Sequence, residues 1–289
     1  MVLIMGATGN IGLPVAKNLC KKNENVKVLI RSEKSASILK SIGVQEICIG
    51  DFRNEVDLKN ALQGCRSVFH VMPPFSEDEF EIGEKIISLA TESGVEHFVF
   101  NSVLHSQIRE MPHHFQKNRV EEVLINSGLD FNIIQPAMLM QNISSFWDKL
   151  ILDKTYRAIS SPKKKFALVD NEDVGEAISN ILLDKTLRNA IFEFASPDIL
   201  TFEEMACIIG EEMSSVLNIV SMDVGTRKQF AESQNWSPYA VDTFLKMLHH
   251  YDNYGLSGGN KLVLSTILKR EPTTYRSFIK RLLTSEKKG

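Results

Sequence analysis

Several shortages in this chain narrow what it does. Its formal net charge is only −3 over 289 residues, so it has no basic field with which to hold nucleic acid or an anionic membrane surface. No apolar run reaches the roughly eighteen residues that a bilayer-spanning helix needs. The four cysteines, Cys20, Cys48, Cys65 and Cys207, are too far apart for a metal-type or redox-type pair and read as buried, reduced thiols. Adjacent histidines occur at His113-His114 and His249-His250, but neither pair has the spacing that sets two ligands on one helical face, so no metal site is expected. Repeats, low-complexity tracts and flexible linkers are missing as well, so a second lobe is expected to be interleaved with the first. A glycine loop that starts at Gly6 leaves no room for a cleavable leader, and a cytoplasmic location is the corresponding expectation. Lys287-Lys288 reads as a solvated tail.

What is present begins at once. The apolar run Val2 to Met5 leads into Gly6-Ala7-Thr8-Gly9-Asn10-Ile11-Gly12 and then a helical pattern from near Ile11. A buried strand, a tight glycine turn and a helix whose free amides and positive dipole end face outward form a cradle for a pyrophosphate. One glycine allows the turn, one lets backbone approach the phosphates, and the last lets helix and strand pack closely. The glycines stand three residues apart, unlike the commoner dinucleotide pattern, so context has to support the reading. It does: a second apolar strand, Val26 to Ile30, completes a βαβ unit of ordinary length. Arg31 follows that strand where an acidic residue would select NAD, and a planar basic fork there suits the 2′-phosphate of NADP. Ser32 and Lys34 can add to it, whereas Glu33 counts against it. NADP is the expected cofactor, with NADPH preferred over NADH.

Strands at Gln45 to Ile49, Ser67 to Met72, Phe98 to Val103 and Phe131 to Ile134 alternate with helices at 57–62, 78–93 and 115–127. The pattern predicts an α/β fold, a Rossmann-type doubly wound parallel sheet with a smaller mixed α/β C-terminal lobe. Residues 1–150, joined by a returning segment 167–195, form the dinucleotide domain, and 151–289 supply the smaller lobe. A capping box at Thr201 to Glu204 starts one of its helices, and 239–251 forms another that buries Val241, Phe244, Leu245 and Leu248. Ligands of open α/β sheets bind beyond the strand carboxyl ends. That places Gly6, Thr8, Gly9, Asn10, Ile11, Gly12, Arg31, Asp51, Phe52, Met72, Pro73, Asn101, Ser102, Pro136 and Met138 around the cofactor. Asp51 is expected to accept from the adenine amino group and Phe52 to cover the ring. The Met72-Pro73 turn is expected along the adenosine ribose.

The chain resembles the NmrA-like branch of the atypical short-chain dehydrogenase/reductase superfamily. The resemblance rests on GATGNIG at 6–12, Arg31, GDF at 50–52, NSV at 101–103, HHFQKNRVEEVLINSGLDFNIIQPAMLMQN at 113–142, NEDVGEAI at 171–178 and KREP at 269–272. It implies a Rossmann fold, NADP binding and a small lobe that closes over the nicotinamide end. It also implies that Lys117 bonds the nicotinamide ribose and orients the cofactor. The parent superfamily commonly carries a Tyr four residues before this Lys, and here that position is His113. His113 or His114 titrates near enough to neutrality to be a candidate proton donor, although no orienting partner is identifiable. An acceptor such as a quinone or activated dye needs no strong acid, because its reduced anion is delocalised and solvent protonates it. Met138, Leu139, Met140, Phe146 and Trp147 read either as a soft wall for such a molecule or as core, with Met138, Asn142 and Trp147 the candidate substrate contacts. Two functions remain open: a reductase of quinone-like or other conjugated small molecules, and a non-catalytic NADP(H) sensor acting on a protein partner. The chain is expected to be a monomer or homodimer.

Overall fold

The computed structural model describes residues 1–286, and the predicted Lys287-Lys288 tail lies outside the described residues. The chain first lays down β1 (Val2–Met5), α1 (Gly12–Lys21), β2 (Val26–Ile30), α2 (Ala36–Ser41), β3 (Glu46–Ile49), α3 (Glu55–Leu62), β4 (Ser67–His70), α4 (Glu79–Glu92), β5 (His97–Asn101), α5 (Pro112–Ile125) and β6 (Asp130–Pro136). Then come β7 (Met138–Leu139), α6 (Trp147–Asp153), β8 (Thr155–Ala158), β9 (Lys165–Val169), α7 (Asn171–Leu183) and β10 (Ala190–Phe194). β11 (Ile199–Thr201), α8 (Phe202–Glu212), β12 (Asn218–Ser221), α9 (Val224–Ser233), α10 (Pro238–Tyr254), α11 (Leu262–Leu268) and α12 (Tyr275–Glu286) follow.

Seven strands form one parallel sheet in the order β10-β6-β5-β4-β1-β2-β3, so the direction of winding reverses between β1 and β4. The central strands β1, β2, β4 and β5 are buried along their whole length, which is why they are largely apolar, whereas the edge strands β3 and β10 are partly exposed. Val2, Ile4, Val28, Ile30, Val99 and Ile134 pack on one side with Val15, Leu19, Ile178 and Ile181 of α1 and α7. Their strand neighbours Leu3, Met5, Leu29, Val68, Phe98, Phe100 and Ile133 pack on the other with Leu58, Ile86 and Leu124. Each such side chain contributes about 1.5–3 kcal/mol through burial.

The chain leaves this sheet after β6 and comes back to it. β9 joins β7 and β11 in a three-stranded sheet, and β8 pairs with β12 in a second small one. Between them, α7 packs on α1 and β10 adds to β6 as the sheet edge. The two late segments that carry the resemblance are clamped together: the Arg270 guanidinium donates to Asp173 at 2.7 Å and to Glu176 at 2.6 Å, and Thr273 N–H donates to Asp173 at 2.6 Å. Asp173 is buried at the start of α7, so this clamp holds the returning helix against the C-terminal turn. The predicted capping box is formed, with Thr201 Oγ1 accepting from Glu204 N–H and Glu204 accepting from Thr201 N–H, an arrangement contributing about 1 kcal/mol.

Three expectations change. Only Cys65 of the four free cysteines is buried; Cys20 and Cys48 are half-buried and Cys207 is exposed, because each follows the face of its own element. α5 starts at Pro112 rather than near Phe115, since proline suits the first helical position, and this puts His113 and His114 in its first turn. β4 and β5 stop at His70 and Asn101, short of the predicted Met72 and Val103, because the chain turns there into the loops of the cleft. Among the described residues, no helix is long and apolar enough to cross a membrane, and no group of His, Cys, Asp or Glu has a metal-binding arrangement.

Candidate functional site

A cleft of about 520 Å³ opens beyond the carboxyl ends of β1, β2, β4, β5 and β6. At its floor the glycine loop turns because Gly6 takes φ +82°, where a Cβ would also lie 2.6 Å from Val71 Cγ1. A Cβ on Gly12 would meet the Gly6 carbonyl oxygen at 2.1 Å, so Gly12 lets the start of α1 pack against the Gly6-Ala7 turn and does not line the cleft. Thr8, Gly9, Asn10 and Ile11 do line it. α1 has no side-chain cap and no acidic residue in its first turn, which leaves its positive end available to an anion. From the returning helix, Asn171 Nδ2 donates to the Asn10 carbonyl at 2.7 Å and pins the loop.

Arg31 lies on the cleft rim, exposed and without an ion-pair partner among the described residues. Ser32 is otherwise engaged, its hydroxyl accepting from Lys34 N–H at 3.3 Å, and neither residue lines the cleft. Gly50 and Phe52 form the neighbouring wall, with the Arg53 guanidinium 5.2 Å from the Phe52 ring centre and held by Asp78 at 2.9 Å. Between them in the chain, the half-buried Asp51 accepts from Arg53 N–H at 2.9 Å through one of its two carboxylate oxygens.

At the other end, on the β5 and β6 side, Lys117 lines the cleft and forms an ion pair with Glu79, a fully buried residue at the start of α4. The ammonium also lies 5.6 Å from the Phe100 ring centre. Burial raises the Glu79 carboxyl above its usual range, against the opposing pull of Lys117, and its second oxygen has no partner in the protein. Asn101 Oδ1 is also buried and unpaired, while its amide donates to the Ser102 carbonyl at 3.2 Å. The Ser102 hydroxyl turns inward to Glu121, which also accepts from Ser106 at 3.0 Å and Gln135 at 2.9 Å. His113 and His114 touch edge-to-face at 4.5 Å, and His114 Nδ1 donates to the His105 carbonyl at 3.1 Å. Burial, then the charges of His114 and Lys117, hold His113 well below its usual pKa. A ring kept neutral in this way is not an imidazolium acid near neutral pH.

Met72, Pro73, Pro136 and Met138 reach the cleft, as does Asn142. Met138, Leu139 and Asn142 are shared with a narrow apolar side pocket of about 60 Å³ that Met140, Ile143 and Phe146 help to line. Trp147 lines neither space. It is 3% exposed and packs in the core, because α6 turns it inward beside Leu150. Residues that the sequence did not single out complete the wall: Val71, Pro74, Phe75, Tyr251 and Leu256. Phe75 takes φ +58° and packs against His113, Trp236 and Phe244 at 4.9, 5.4 and 6.0 Å. Glu79, within the run Glu77-Asp78-Glu79, looks like any solvated acidic helix start and carried no signal of its pairing.

The residues fit a phosphorylated dinucleotide. An uncapped helix start, a glycine loop whose Gly9 leaves room that a Cβ would take, a free guanidinium at one end and the Lys117 ammonium at the other line one cleft. An NAD(P)H azoreductase of Xenophilus azovorans is 25% identical over 287 residues, covering 97% of both chains. The solved structure of an NADPH-dependent quinone oxidoreductase from Escherichia coli in complex with NADPH aligns with TM-score 0.85 at 18% identity, over 98% of this chain and 100% of that one. The Citrobacter sp. triphenylmethane reductase complexed with NADP(H) aligns with TM-score 0.83 at 15% identity, over 97% and 99%. At such identities the two structures speak to the fold. The NmrA-like family matches residues 1–278, and the chain belongs to that family.

Proposed function

We propose that the protein is an NADPH-dependent reductase of quinone-like or other conjugated small molecules. The observation that carries this reading is a single cleft that runs from the unpaired Arg31, past the open start of α1, to Lys117 beside an apolar wall. The azoreductase relative, alike over nearly its whole length, supports it. Bound NADPH supplies a hydride. The chain's own groups then have defined tasks. α1 and its glycine loop hold the pyrophosphate, and Arg31 offers a charged fork to the 2′-phosphate. Lys117, steered by Glu79, donates to the ribose hydroxyls at the reacting end. Met138, Leu139, Phe75 and Leu256 hold an apolar acceptor and exclude water, which is a task of positioning. No strong acid is required when the reduced acceptor is a delocalised anion. Residues 1–150 with 167–195 act in this reading as the cofactor domain, and the remaining lobe selects the acceptor.

The test is NADPH consumption by the purified protein against a panel of quinones and conjugated dyes, with Lys117→Ala beside it. Turnover that disappears in the variant supports the reductase. NADPH binding by titration with no consumption above background sinks it and leaves a sensor that acts on a protein partner.

A further inference from the structure

The second lobe brings to the cleft one hydroxyl that no sequence motif marks. Tyr251 lies on α10 and lines the cleft. The residue is 7% exposed, and its ring packs edge-on against Phe166 at 5.3 Å. The hydroxyl has no hydrogen-bond partner among the described residues, and it is not one of the sealed, unpaired polar atoms of the core. The phenol is therefore packed at its ring and open at its oxygen.

Its neighbours define where in the cleft it stands. Two turns earlier on the same face of α10, Phe244 meets Phe75, and Phe75 meets His113. On the opposite side Phe166 bridges to Leu256, and the same strand, β9, pairs Leu168 with Met138. These contacts put Tyr251 on the β5 and β6 side of the cleft, whose wall it shares with His113 and Met138. Arg31 and Phe52 follow β2 and β3, on the far side of β1. Burial raises the pKa of the phenol, which keeps its proton in place across the neutral range. His113, the residue at the position where a tyrosine is common, is neutral.

We propose that the Tyr251 hydroxyl donates a hydrogen bond to the oxygen of a carbonyl-type acceptor and stabilises the oxyanion that develops during reduction. This rests on the reductase reading. In the step itself the quinone gains a hydride from NADPH, which leaves as NADP⁺, and one solvent proton completes the hydroquinone. Tyr251 keeps its own proton. The second lobe in this way supplies the oxyanion contact that the α5 motif lacks.

The experiment compares Tyr251→Phe with the unmodified protein on two acceptors. One is 2-methyl-1,4-naphthoquinone, whose reduction generates an oxyanion. The other is a cationic triarylmethane dye, which takes the hydride at carbon and becomes neutral with no oxyanion. Loss of one hydrogen bond is expected to lower kcat about tenfold for the quinone, with the dye rate and the NADPH Kd from fluorescence titration unchanged. Equal losses on both acceptors, or a loss confined to NADPH affinity, overturn the proposal. Where the unmodified protein reduces neither acceptor, the reductase reading is what fails. Tyr251 is then judged by calorimetric binding of the quinone in saturating NADP⁺, where about fivefold weaker binding in the variant upholds it and equal binding removes it.

Discussion

The two ends of the cleft are built in different ways. At the phosphate end, the glycine loop and the start of α1 use consecutive backbone groups, and Arg31 stands one residue past the end of β2. At the acceptor end, the wall is made of side chains from four places distant in sequence: the Val71–Phe75 loop, α5, β7 with Asn142, and the Tyr251–Leu256 segment. Anion binding asks for amides and a dipole, which local backbone geometry supplies. An apolar wall asks for volume and shape, which only packing supplies. The first end therefore depends on residues adjacent in the chain, and the second on how distant elements pack.

Substitutions at the two ends should separate them. The largest effect is expected from Gly9→Val. A Cβ there meets only the Gly6 carbonyl, at 3.3 Å, so the added atoms project into the space of the cleft. NADPH binding should be lost by titration while the melting temperature of the cofactor-free protein stays nearly unchanged; collapse of that transition would make the glycine structural. Lys117→Ala comes next and acts twice. It should abolish turnover and leave the buried Glu79 carboxyl without its partner, costing about 3–5 kcal/mol in denaturant unfolding. Adding Glu79→Gln should recover most of the stability and none of the activity. Recovery of both would break the assignment of Lys117 to the reacting end.

Arg31→Ala is expected to weaken NADPH binding about tenfold or more and to leave NADH binding alone, because only NADPH offers a 2′-phosphate to the guanidinium. Equal losses would remove the claimed preference. The smallest change concerns His70, which is fully buried among Phe52, Phe98 and Phe100 with both ring nitrogens unpaired. Burial, aided by Lys117, pushes its pKa down to about 3, and His97 and His114 are each pushed down to about 4, chiefly by burial. These values lie below the unfolded pKa of about 6.5, so the unfolded chain binds more protons and stability falls as pH drops through that window. His70→Leu should raise stability by about 1–2 kcal/mol near neutral pH and make the acid decline shallower. A steeper decline on thermal melts would contradict the neutral, unpaired ring.

Much of the fold was legible because its signals are local. The strands β1, β2 and β6 declare themselves through apolar runs, and Thr201 and Glu204 cap α8 from three residues apart. The tight glycine turn after β1 was legible for the same reason. Trp147 was misread because a side chain's direction follows from its surroundings. The turn into α6 carries it to the core rather than to the cleft. Cys20, Cys48 and Cys207 were misread in the same way, since composition carries no information about which face of an element a residue occupies.

From the sequence alone follow the alternation of strands and helices, the glycine cradle after β1 and the cation after β2, since each depends on residues within a few positions of one another. The tertiary structure decided that Glu79 holds Lys117, that His113 stays neutral, and that Tyr251 faces the cleft. Those outcomes depend on desolvation and on contacts between elements far apart in the chain, and neither exists until the helices have packed.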